Sequence, residues 1–241
     1  MASNGFIRTG DRLMAQGAAL LQWSIAFAIA LAGPVQAQAP VSYSVTYIEL
    51  KASSVLAGRR TLRAYGASSH KEYGNLLFEV LEEIGRQNRF AILEAWNNRD
   101  ALNRHYHNEN TSRILGQLAT MRIAPDDRRM YEGLFTSASN NRSDSGLVYV
   151  MTHVDVMPLY KDACAASLKV MQSESLHDHG NIAYNVLRQE HELNHFTVAE
   201  IWASRQDFDR HVGTIHTMSF RQKLLPMTGA LYDERLFTQI Q

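Results

Sequence analysis

The alternation of polar and apolar residues predicts a strand and a helix at the start of the chain's second half. Residues 147–156 alternate and are rich in valine, tyrosine and methionine, which suggests a first strand. Pro158 fits the first turn of a helix that follows. Apolar residues at helical spacing predict its buried face: Leu159, Ala163, Ala166 and Val170. Residues 177–181 have the composition of a loop and end this pair of elements.

Two strands, a second helix and a last strand complete the unit. Residues 182–187 and 196–202 have strand patterns on either side of a polar hairpin. A helix cap at Ser204 starts one helix that runs to Pro226, and its apolar face comprises Phe208, Val212 and Ile215. Residues 230–240 supply the final strand. The order strand–helix–strand–strand–helix–strand predicts a ferredoxin-like α+β unit.

The same pattern occurs in the first half of the chain, 106 residues earlier. The segment Asn-Arg-Phe-Ala-Ile-Leu-Glu-Ala-Trp at 88–96 corresponds to Asn-His-Phe-Thr-Val-Ala-Glu-Ile-Trp at 194–202. Gly74 corresponds to Gly180 at the same offset. Residues that correspond in this way are called twins below. A register kept without a gap over this length indicates two copies of one structural unit.

The chain therefore divides into two ferredoxin-like repeats. Repeat 1 is residues 41–135, repeat 2 is residues 147–241, and the Ser- and Asn-rich residues 136–146 form a linker. The pattern is weaker in repeat 1: two glycines, Gly58 and Gly66, are expected to interrupt its first helix, and residues 123–127 add an insertion before its last strand. Each sheet keeps a second apolar face, so the repeats are predicted to pack sheet to sheet as an intrachain dimeric α+β barrel. Further homo-oligomerisation stays open.

Composition narrows the classes of partner. The chain has 24 basic and 24 acidic residues and a formal net charge of zero, without a block of like charge. It thus has no electrostatic footprint for nucleic acid or an anionic membrane. The single cysteine, Cys164, excludes an intrachain disulfide framework, and its place in a helical pattern predicts a small buried residue.

The first 37 residues have the features of a signal peptide. Arg8 and Arg12 precede an apolar stretch at 18–32, and small residues follow up to Ala37. This predicts a periplasmic or secreted protein cleaved after Ala37, with retention as an N-terminal anchor as the alternative. The apolar stretch is short for a membrane span and no second one follows, so no stable membrane span is expected after cleavage.

Three segments of repeat 2 resemble the antibiotic biosynthesis monooxygenase family of dimeric α+β barrel proteins. They are Gly180-Asn-Ile-Ala-Tyr184, Phe196-x-x-x-Glu200-x-Trp202 and Phe208-x-x-His211. Repeat 1 resembles the family more loosely. The resemblance implies a pocket between the sheet and the helices of each repeat. It also implies oxidation of small aromatic or quinol-type substrates with O2, without flavin, haem or metal as cofactor.

Two residues are the catalytic candidates. The spacing of His211 from Phe208 and Ile215 places it on the inward face of its helix, where a neutral imidazole can act as base or orient the substrate. Glu200, on the same strand face as Trp202, is expected to support it. The predicted substrate-binding residues are Trp202, Tyr184 and His153 in repeat 2, and His105, Glu94 and Trp96 in repeat 1. The alternatives are a core histidine, an ion pair between the glutamate and an arginine, and tryptophans that only pack.

One motif points elsewhere. Residues 191–195, His-Glu-Leu-Asn-His, match the zinc-protease signature, which requires a helix to bring both histidines onto one face. The twin stretch, residues 85–89, is a ligand-free hairpin, so the match is expected to be fortuitous. A surface metal site involving His177 and His179 stays open. Haem is disfavoured because Arg221 and Leu224 occupy the expected axial region, with His216 the nearest histidine.

The sequence thus supports two hypotheses. The first is a cofactor-independent monooxygenase with its chemistry in repeat 2, and the second is a non-catalytic small-molecule binding or stress-response module of the same fold. Measuring whether the protein turns over a substrate distinguishes the two hypotheses. After His105, repeat 1 differs through Tyr106-His107 and is expected to be a structural partner.

Overall fold

The computed structural model describes residues 40–137 and 146–240. The predicted signal peptide and most of the predicted linker lie outside these ranges. Repeat 1 contains four strands, β1 (Ser42–Glu49), β2 (Asn75–Glu83), β3 (Arg89–Trp96) and β4 (Asp127–Phe135), and three helices, α1 (Val55–Ser69), α2 (Arg99–His107) and α3 (Glu109–Met121). Repeat 2 contains β5 (Val148–Asp155), α4 (Lys161–Ser175), β6 (Asn181–Gln189), β7 (His195–Trp202), α5 (Arg205–Val212), α6 (Ile215–Leu224) and β8 (Asp233–Gln239).

The two repeats match element by element. Each strand and helix of repeat 1 begins at a residue whose twin begins the corresponding element of repeat 2. The last strands keep this relation, since β4 begins at Asp127 and β8 at Asp233. The expected insertion at residues 123–127 was therefore wrong, because this segment has a twin segment of equal length in repeat 2. The duplication is gapless from the first strand to the last.

The eight strands form one closed antiparallel barrel in the order β1-β3-β2-β8-β5-β7-β6-β4. Each repeat contributes four adjacent strands. The two sheets join through β2 with β8, where Glu82 pairs with Thr238, and through β4 with β6, where Glu132 pairs with Arg188. The predicted ferredoxin-like repeats and intrachain barrel are thus confirmed. Pairing between repeats leaves neither sheet with an open edge, which stabilises the joined halves.

Three clusters of buried side chains fill the molecule. One fills the barrel interior and includes Val45, Leu93, Tyr149 and Ala199. The other two lie between the sheet and the helices, one in each repeat. Because side chains alternate along a strand, each strand supplies residues to the barrel interior and to the helix side in turn. This alternation decides which side chains can meet at a site.

The helices differ from the sequence prediction in three respects. The buried face of α4 carries Cys164, Leu168 and Met171, whereas Leu159 is 74% exposed and Val170 57% exposed. The predicted face was wrong: Leu159 belongs to a separate 3-10 turn at residues 158–160, and Ala163 and Val170 lie on the exposed side of α4. The predicted burial of Cys164 is confirmed, and burial raises the pKa of its thiol to about 12.

The predicted single helix from Ser204 to Pro226 is two helices. Gly213 ends α5 and the Thr214 side chain caps α6, so Ile215 starts a helix on a new axis and is 80% exposed. In repeat 1, α1 is continuous across Gly58 and Gly66, contrary to expectation. Gly58 is required there for close packing, because a Cβ would lie 2.2 Å from Leu50 Cδ1. None of the helices in the described ranges is long and apolar enough to span a bilayer.

Candidate active site in repeat 2

Glu200 and Trp202 form the strand side of the candidate site. They lie two residues apart on β7, and both side chains face the helices. The Trp202 indole Nε1 donates a hydrogen bond to Glu200 Oε2 at 2.8 Å. Trp202 is fully buried and Glu200 is 4% exposed. The Glu-x-Trp pattern therefore places a carboxyl group in an apolar interior and fixes its orientation from one side.

His211 forms the helix side. It lies in the last turn of α5, a helix that starts where Ser204 Oγ accepts a hydrogen bond from the Asp207 backbone N–H. The imidazole is 3% exposed, and its ring centre lies 4.6 Å from that of Trp202. Its Nε2 lies 3.8 Å from Glu200 Oε2. The predicted pairing of His211 with Glu200 is therefore present in the geometry, although the two atoms are too far apart for a hydrogen bond.

Asp178 orients the imidazole. It lies in the turn between α4 and β6, and its Oδ2 accepts a hydrogen bond from His211 Nδ1 at 2.7 Å. This bond places the ring proton on Nδ1 and leaves the lone pair of Nε2 directed toward Glu200 and the Thr217 hydroxyl, which lies at 3.4 Å. Glu200 was predicted to support His211, but the carboxylate that is hydrogen bonded to the imidazole is that of Asp178. The sequence contained an indication of this role, because the twin of Asp178 is also an acidic residue, Glu72.

Burial sets the protonation states of the pair. Desolvation raises the pKa of Glu200 to about 8, against the lowering effect of the Trp202 hydrogen bond, and Glu234 raises it further. Desolvation also lowers the pKa of His211, against the raising effect of Asp178. At neutral pH, Glu200 thus retains its proton and His211 is uncharged. A weak acid and an imidazole lone pair 3.8 Å apart are a combination suited to proton transfer.

Asp178 also contacts His216, the second residue of α6. His216 Nε2 lies 3.0 Å from the same Asp178 Oδ2. One ligand atom from each of Asp178, His211 and His216 lies within 4.8 Å of the others, so this trio is the set able to hold a metal ion among the described residues. The Asp178 carboxylate already hydrogen bonds to both histidines. We therefore assign Asp178 and His216 the role of orienting His211.

The remaining candidates divide between two faces of the sheet. Tyr184 lies on the helix side with its ring centre 6.0 Å from His211, and burial raises the pKa of its phenol. His153 does not join them. It faces the barrel interior, because its position on β5 alternates with the helix-side residues. There its Nε2 lies 2.9 Å from the hydroxyl of its twin, Tyr47, and its Nδ1 lies 2.9 Å from Thr197 Oγ1.

Repeat 1 brings together the corresponding residues. Trp96 Nε1 donates to Glu94 Oε2 at 2.8 Å, and His105 Nε2 lies 3.7 Å from the same oxygen. His105 Nδ1 lies 3.0 Å from both carboxylate oxygens of Glu72. The acid, tryptophan and histidine therefore have the same arrangement in both repeats. What surrounds them differs, because two tyrosines, Tyr65 and Tyr106, contact this group in repeat 1.

Two clefts border α6 in repeat 2, and neither His211 nor Glu200 is among the residues that line them. One, of about 410 Å³, lies between α6 and the start of β8, with Arg221, Leu224, Tyr232 and Glu234 in its lining. Arg221 Nη2 donates to Glu234 at 2.9 Å, while its buried Nε has no hydrogen-bond partner among the described residues. The second cleft, of about 340 Å³, lies between α4 and α6 and is lined by Met171 and His216. These are called the β8 cleft and the α4–α6 groove below.

The zinc-protease motif does not form a metal site of that type. Residues 191–195 make the turn between β6 and β7, so the two histidines are not on one helix face. His191 has φ of 67°, and its twin Gly85 has φ of 84°, so both occupy the same left-handed turn position. The hairpin prediction for this segment is confirmed.

Comparison with known proteins gives a family and a fold. The sequence profile of the antibiotic biosynthesis monooxygenase family matches residues 43–115 and 147–223, which together exceed half of the chain. No curated protein matches the chain by sequence.

Three solved structures share the whole tandem architecture. A proposed monooxygenase of Fusobacterium nucleatum has a TM-score of 0.77 at 13% identity, with 84% of this chain and 94% of that chain covered. One of Lactobacillus acidophilus has a TM-score of 0.70 at 13% identity, with 84% and 95% covered. An anthrone oxidase-like protein has a TM-score of 0.63 at 13% identity, with 84% and 92% covered. At this identity the similarity establishes the fold.

Proposed function

Since this chain belongs to the antibiotic biosynthesis monooxygenase family, we propose that it oxidises a small aromatic or quinol-type substrate with O2 and needs no flavin, haem or metal for the reaction. One observation carries the proposal: in repeat 2 an uncharged, oriented His211 faces a buried Glu200 that retains its proton at neutral pH. This pair supplies the base and the acid that such an oxidation requires.

The first step is the removal of a proton from the substrate. A phenolic hydroxyl near His211 Nε2 would transfer its proton to that nitrogen, and Asp178 would stabilise the resulting imidazolium through Nδ1. The phenolate formed is electron-rich at its ring carbons and can give one electron to O2. Recombination of the aryl-oxyl radical with superoxide then forms a carbon–oxygen bond. The apolar surroundings of Trp202 keep bulk water from this reaction.

The second step removes one oxygen atom as water. Glu200 would donate its proton to the peroxide and form a hydroperoxide. The Glu200 carboxylate then takes the C–H proton of the same carbon, and the electron pair of that bond forms the second carbonyl as the O–O bond breaks. The terminal oxygen departs as water with the proton from the imidazolium, so both residues return to their starting protonation states. For a naphthol the products are one naphthoquinone and one water for each O2 consumed. The substrate supplies all the electrons, so no external reductant enters the balance.

The β8 cleft is the proposed entrance for the substrate. Its walls include Leu224, Leu225 and Leu231, which suit the faces of a planar aromatic ring. Arg221 supplies a positive charge beside them, and its partly exposed guanidinium can donate to an oxygen of the bound substrate. The charges of Arg221 and Glu234 both act on the Glu200 carboxyl, so the cleft lies within electrostatic reach of the proposed acid.

Oxygen consumption tests the proposal. Purified protein should consume O2 with members of a panel of hydroquinones and naphthols, and ¹⁸O2 should place one labelled atom in the quinone. His211→Ala should abolish the rate and leave the thermal midpoint near that of wild type. The matched control is His191→Gly, which removes a surface imidazole and installs the residue of its twin position, and should keep full activity.

Saturable ligand binding without any oxygen uptake would contradict the enzyme and support the alternative, a non-catalytic binding module. A large loss of stability in His211→Ala would identify His211 as a core residue. Incorporation of no label from ¹⁸O2 would show an oxidase rather than a monooxygenase.

A further inference from the structure

The acid and the histidine of repeat 1 are both occupied by phenol groups of the chain itself. The Tyr106 hydroxyl donates a hydrogen bond to Glu94 Oε1 and lies 3.1 Å from Ser44 Oγ. The Tyr65 hydroxyl lies 2.8 Å from His105 Nε2. These two contacts use the same atoms that face the proposed substrate position in repeat 2. Repeat 1 therefore holds an internal phenol against its acid and another against its imidazole.

The twin positions in repeat 2 are apolar. Met171 replaces Tyr65, Val212 replaces Tyr106, and Val150 replaces Ser44. None of these side chains has a hydroxyl. Within the described residues, Trp202 is the one side-chain donor to Glu200. Repeat 2 thus keeps the carboxyl group and the imidazole, but it lacks the two phenols that are hydrogen bonded to these groups in repeat 1.

A third difference concerns access. In repeat 1 the Arg128 guanidinium lies 3.9 Å above the centre of the Tyr106 ring and covers it. The twin of Arg128 is Glu234, which is paired with Arg221 in the wall of the β8 cleft. Likewise, the twin of the buried Tyr65 is Met171, which lines the α4–α6 groove. Each cleft of repeat 2 thus opens beside a position that is filled in repeat 1. The α4–α6 groove lies at the position of Tyr65, and the β8 cleft lies at the position of Arg128, which covers Tyr106.

We propose that Tyr65 and Tyr106 are built-in phenolic ligands that close repeat 1, and that their hydroxyls mark where a ligand's hydroxyls bind in repeat 2. This inference rests on the proposed function for its choice of site. A hydroxyl in the place of the Tyr106 hydroxyl donates to Glu200, and one in the place of the Tyr65 hydroxyl meets His211 Nε2. The ligand class is a planar aromatic with at least one free hydroxyl, bound once per chain.

The reason repeat 1 stays closed is the covalent link. A phenol tethered next to its acceptor competes at a high effective concentration, on the order of millimolar or more, with any free phenol. The cation over the Tyr106 ring adds a further attraction to the closed arrangement. A free ligand in dilute solution cannot displace such groups. In repeat 2 the twin residues carry no phenol, and the Thr217 hydroxyl that faces His211 Nε2 lies at 3.4 Å, farther than the 2.8 Å between Tyr65 and His105.

Binding stoichiometry tests the inference without turnover. Isothermal titration of the protein with 2-naphthol in the absence of O2 should give one site per chain for wild type. Val212→Tyr places the repeat 1 phenol in repeat 2 and should weaken binding at least tenfold. The control Val212→Thr keeps the size of valine, and should bind 2-naphthol within threefold of wild type. Thermal unfolding of each variant establishes that it is folded.

The reverse exchange provides the second arm. Tyr65→Met with Tyr106→Val gives repeat 1 the residues of repeat 2, and the folded double variant should bind two 2-naphthol molecules. If Val212→Tyr does not fold, Met171→Tyr installs the other phenol and should weaken binding in the same way. Two sites in wild type, unchanged affinity in a folded Val212→Tyr, or one site in the folded double variant would each overturn the inference.

The two proposals fail in different ways. Naphthol binding with the expected stoichiometry but without oxygen uptake under air would remove the enzyme proposal and leave the binding pattern intact. Oxygen uptake with two equivalent naphthol sites in wild type would do the reverse.

Discussion

His211 Nε2 lies 3.8 Å from Glu200 Oε2, while the other ring nitrogen of His211 is hydrogen bonded to Asp178 at 2.7 Å. The imidazole thus lies between two carboxyl groups with different roles. Asp178 is partly exposed and fixes the tautomer, whereas Glu200 is buried and keeps its proton. The twin pair in repeat 1 has nearly the same spacing, 3.7 Å. Gene duplication has preserved this relationship while the surroundings diverged.

Glu200→Gln tests the protonated carboxyl. The folded-state pKa of Glu200, about 8, lies above the ordinary value of 4.5, so the folded state binds the proton more tightly than the unfolded state. The contribution of this group to stability is full below pH 4.5 and is lost as the pH rises through about 8. Urea unfolding at a series of pH values should therefore show a smaller alkaline loss in Glu200→Gln. The rate of oxygen uptake should fall roughly 100-fold or more.

The control for this variant is Glu192→Gln, which removes an exposed carboxyl from the β6–β7 hairpin. It should keep the wild-type pH profile and rate. An alkaline stability loss of equal size in wild type and Glu200→Gln would mean that Glu200 is ionised at neutral pH, contrary to the proposed role as acid.

Arg221→Leu tests the cation of the β8 cleft. Leucine is the residue at the twin position, Leu115, so the change removes the charge with a side chain that the fold already accommodates. A charge-assisted hydrogen bond contributes about 1.5–3 kcal/mol, so KM for a phenolic substrate should rise about tenfold or more. Steady-state kinetics should show kcat within about threefold of wild type. Arg205→Leu, at an exposed arginine of α5, should change neither constant.

His153→Phe tests the polar group inside the barrel. Burial lowers the pKa of His153 to about 4 from 6.5, and Arg129 lowers it further. Above pH 6.5 this histidine is uncharged in the folded and unfolded states alike, so its ionisation does not change the free energy of unfolding. As the pH falls from 6.5 through about 4, the unfolded state binds a proton that the folded state does not, and stability decreases by roughly 3 kcal/mol.

His153→Phe should be less stable at pH 7, because Tyr47 and Thr197 lose a hydrogen-bond partner, but should show a flatter acid limb between pH 6.5 and 4. Chemical denaturation over this range measures both effects. An acid limb as steep as that of wild type would assign the acid sensitivity to other groups.

Gly180→Ala tests the turn that places Asp178. Gly180 has φ of 79°, and a Cβ there would lie 2.2 Å from Asp207 Cγ. The backbone strain of about 1–2 kcal/mol is joined by a steric overlap, so the free energy of unfolding should fall by roughly 3 kcal/mol. Gly85→Ala is the matched control, since it has φ of 84° with no atom within 4 Å of the added Cβ, and should cost only the backbone strain. Equal losses in the two variants would contradict this account.

Much of the fold follows from local sequence pattern. The composition of β5 and β7 predicted strands within one or two residues of their observed bounds, because a short strand that is buried on both faces is apolar along most of its length. The helix patterns were less informative. Hydropathy did not distinguish the buried side of α4, with Cys164 and Leu168, from the exposed side with Ala163 and Val170. Nor does it record the break at Gly213, which depends on a cap by Thr214.

Part of the candidate site could also be predicted from local spacing. Glu200, Trp202 and His211 share a face by strand or helix spacing, and the structure brings them together with Tyr184. His153 was predicted to bind the substrate with them, but it faces the barrel interior. Alternation gives two sides, and only the closure of the barrel makes one of them interior. Asp178 and His216 come from a loop and from the start of a separate helix, so no period along the sequence relates them to His211.

By itself, the sequence determined that the chain is a duplication, and that each copy carries an acid, a tryptophan and a histidine at fixed spacing, because identical offsets and periodicities are properties of the chain. The tertiary structure decided which groups occupy that acid and histidine. The phenols of Tyr65 and Tyr106 reach them in repeat 1, whereas the twins Met171 and Val212 bring no phenol to them in repeat 2. Contacts between residues distant in the chain depend on how helices pack on the sheet, and that packing is fixed only in the folded molecule.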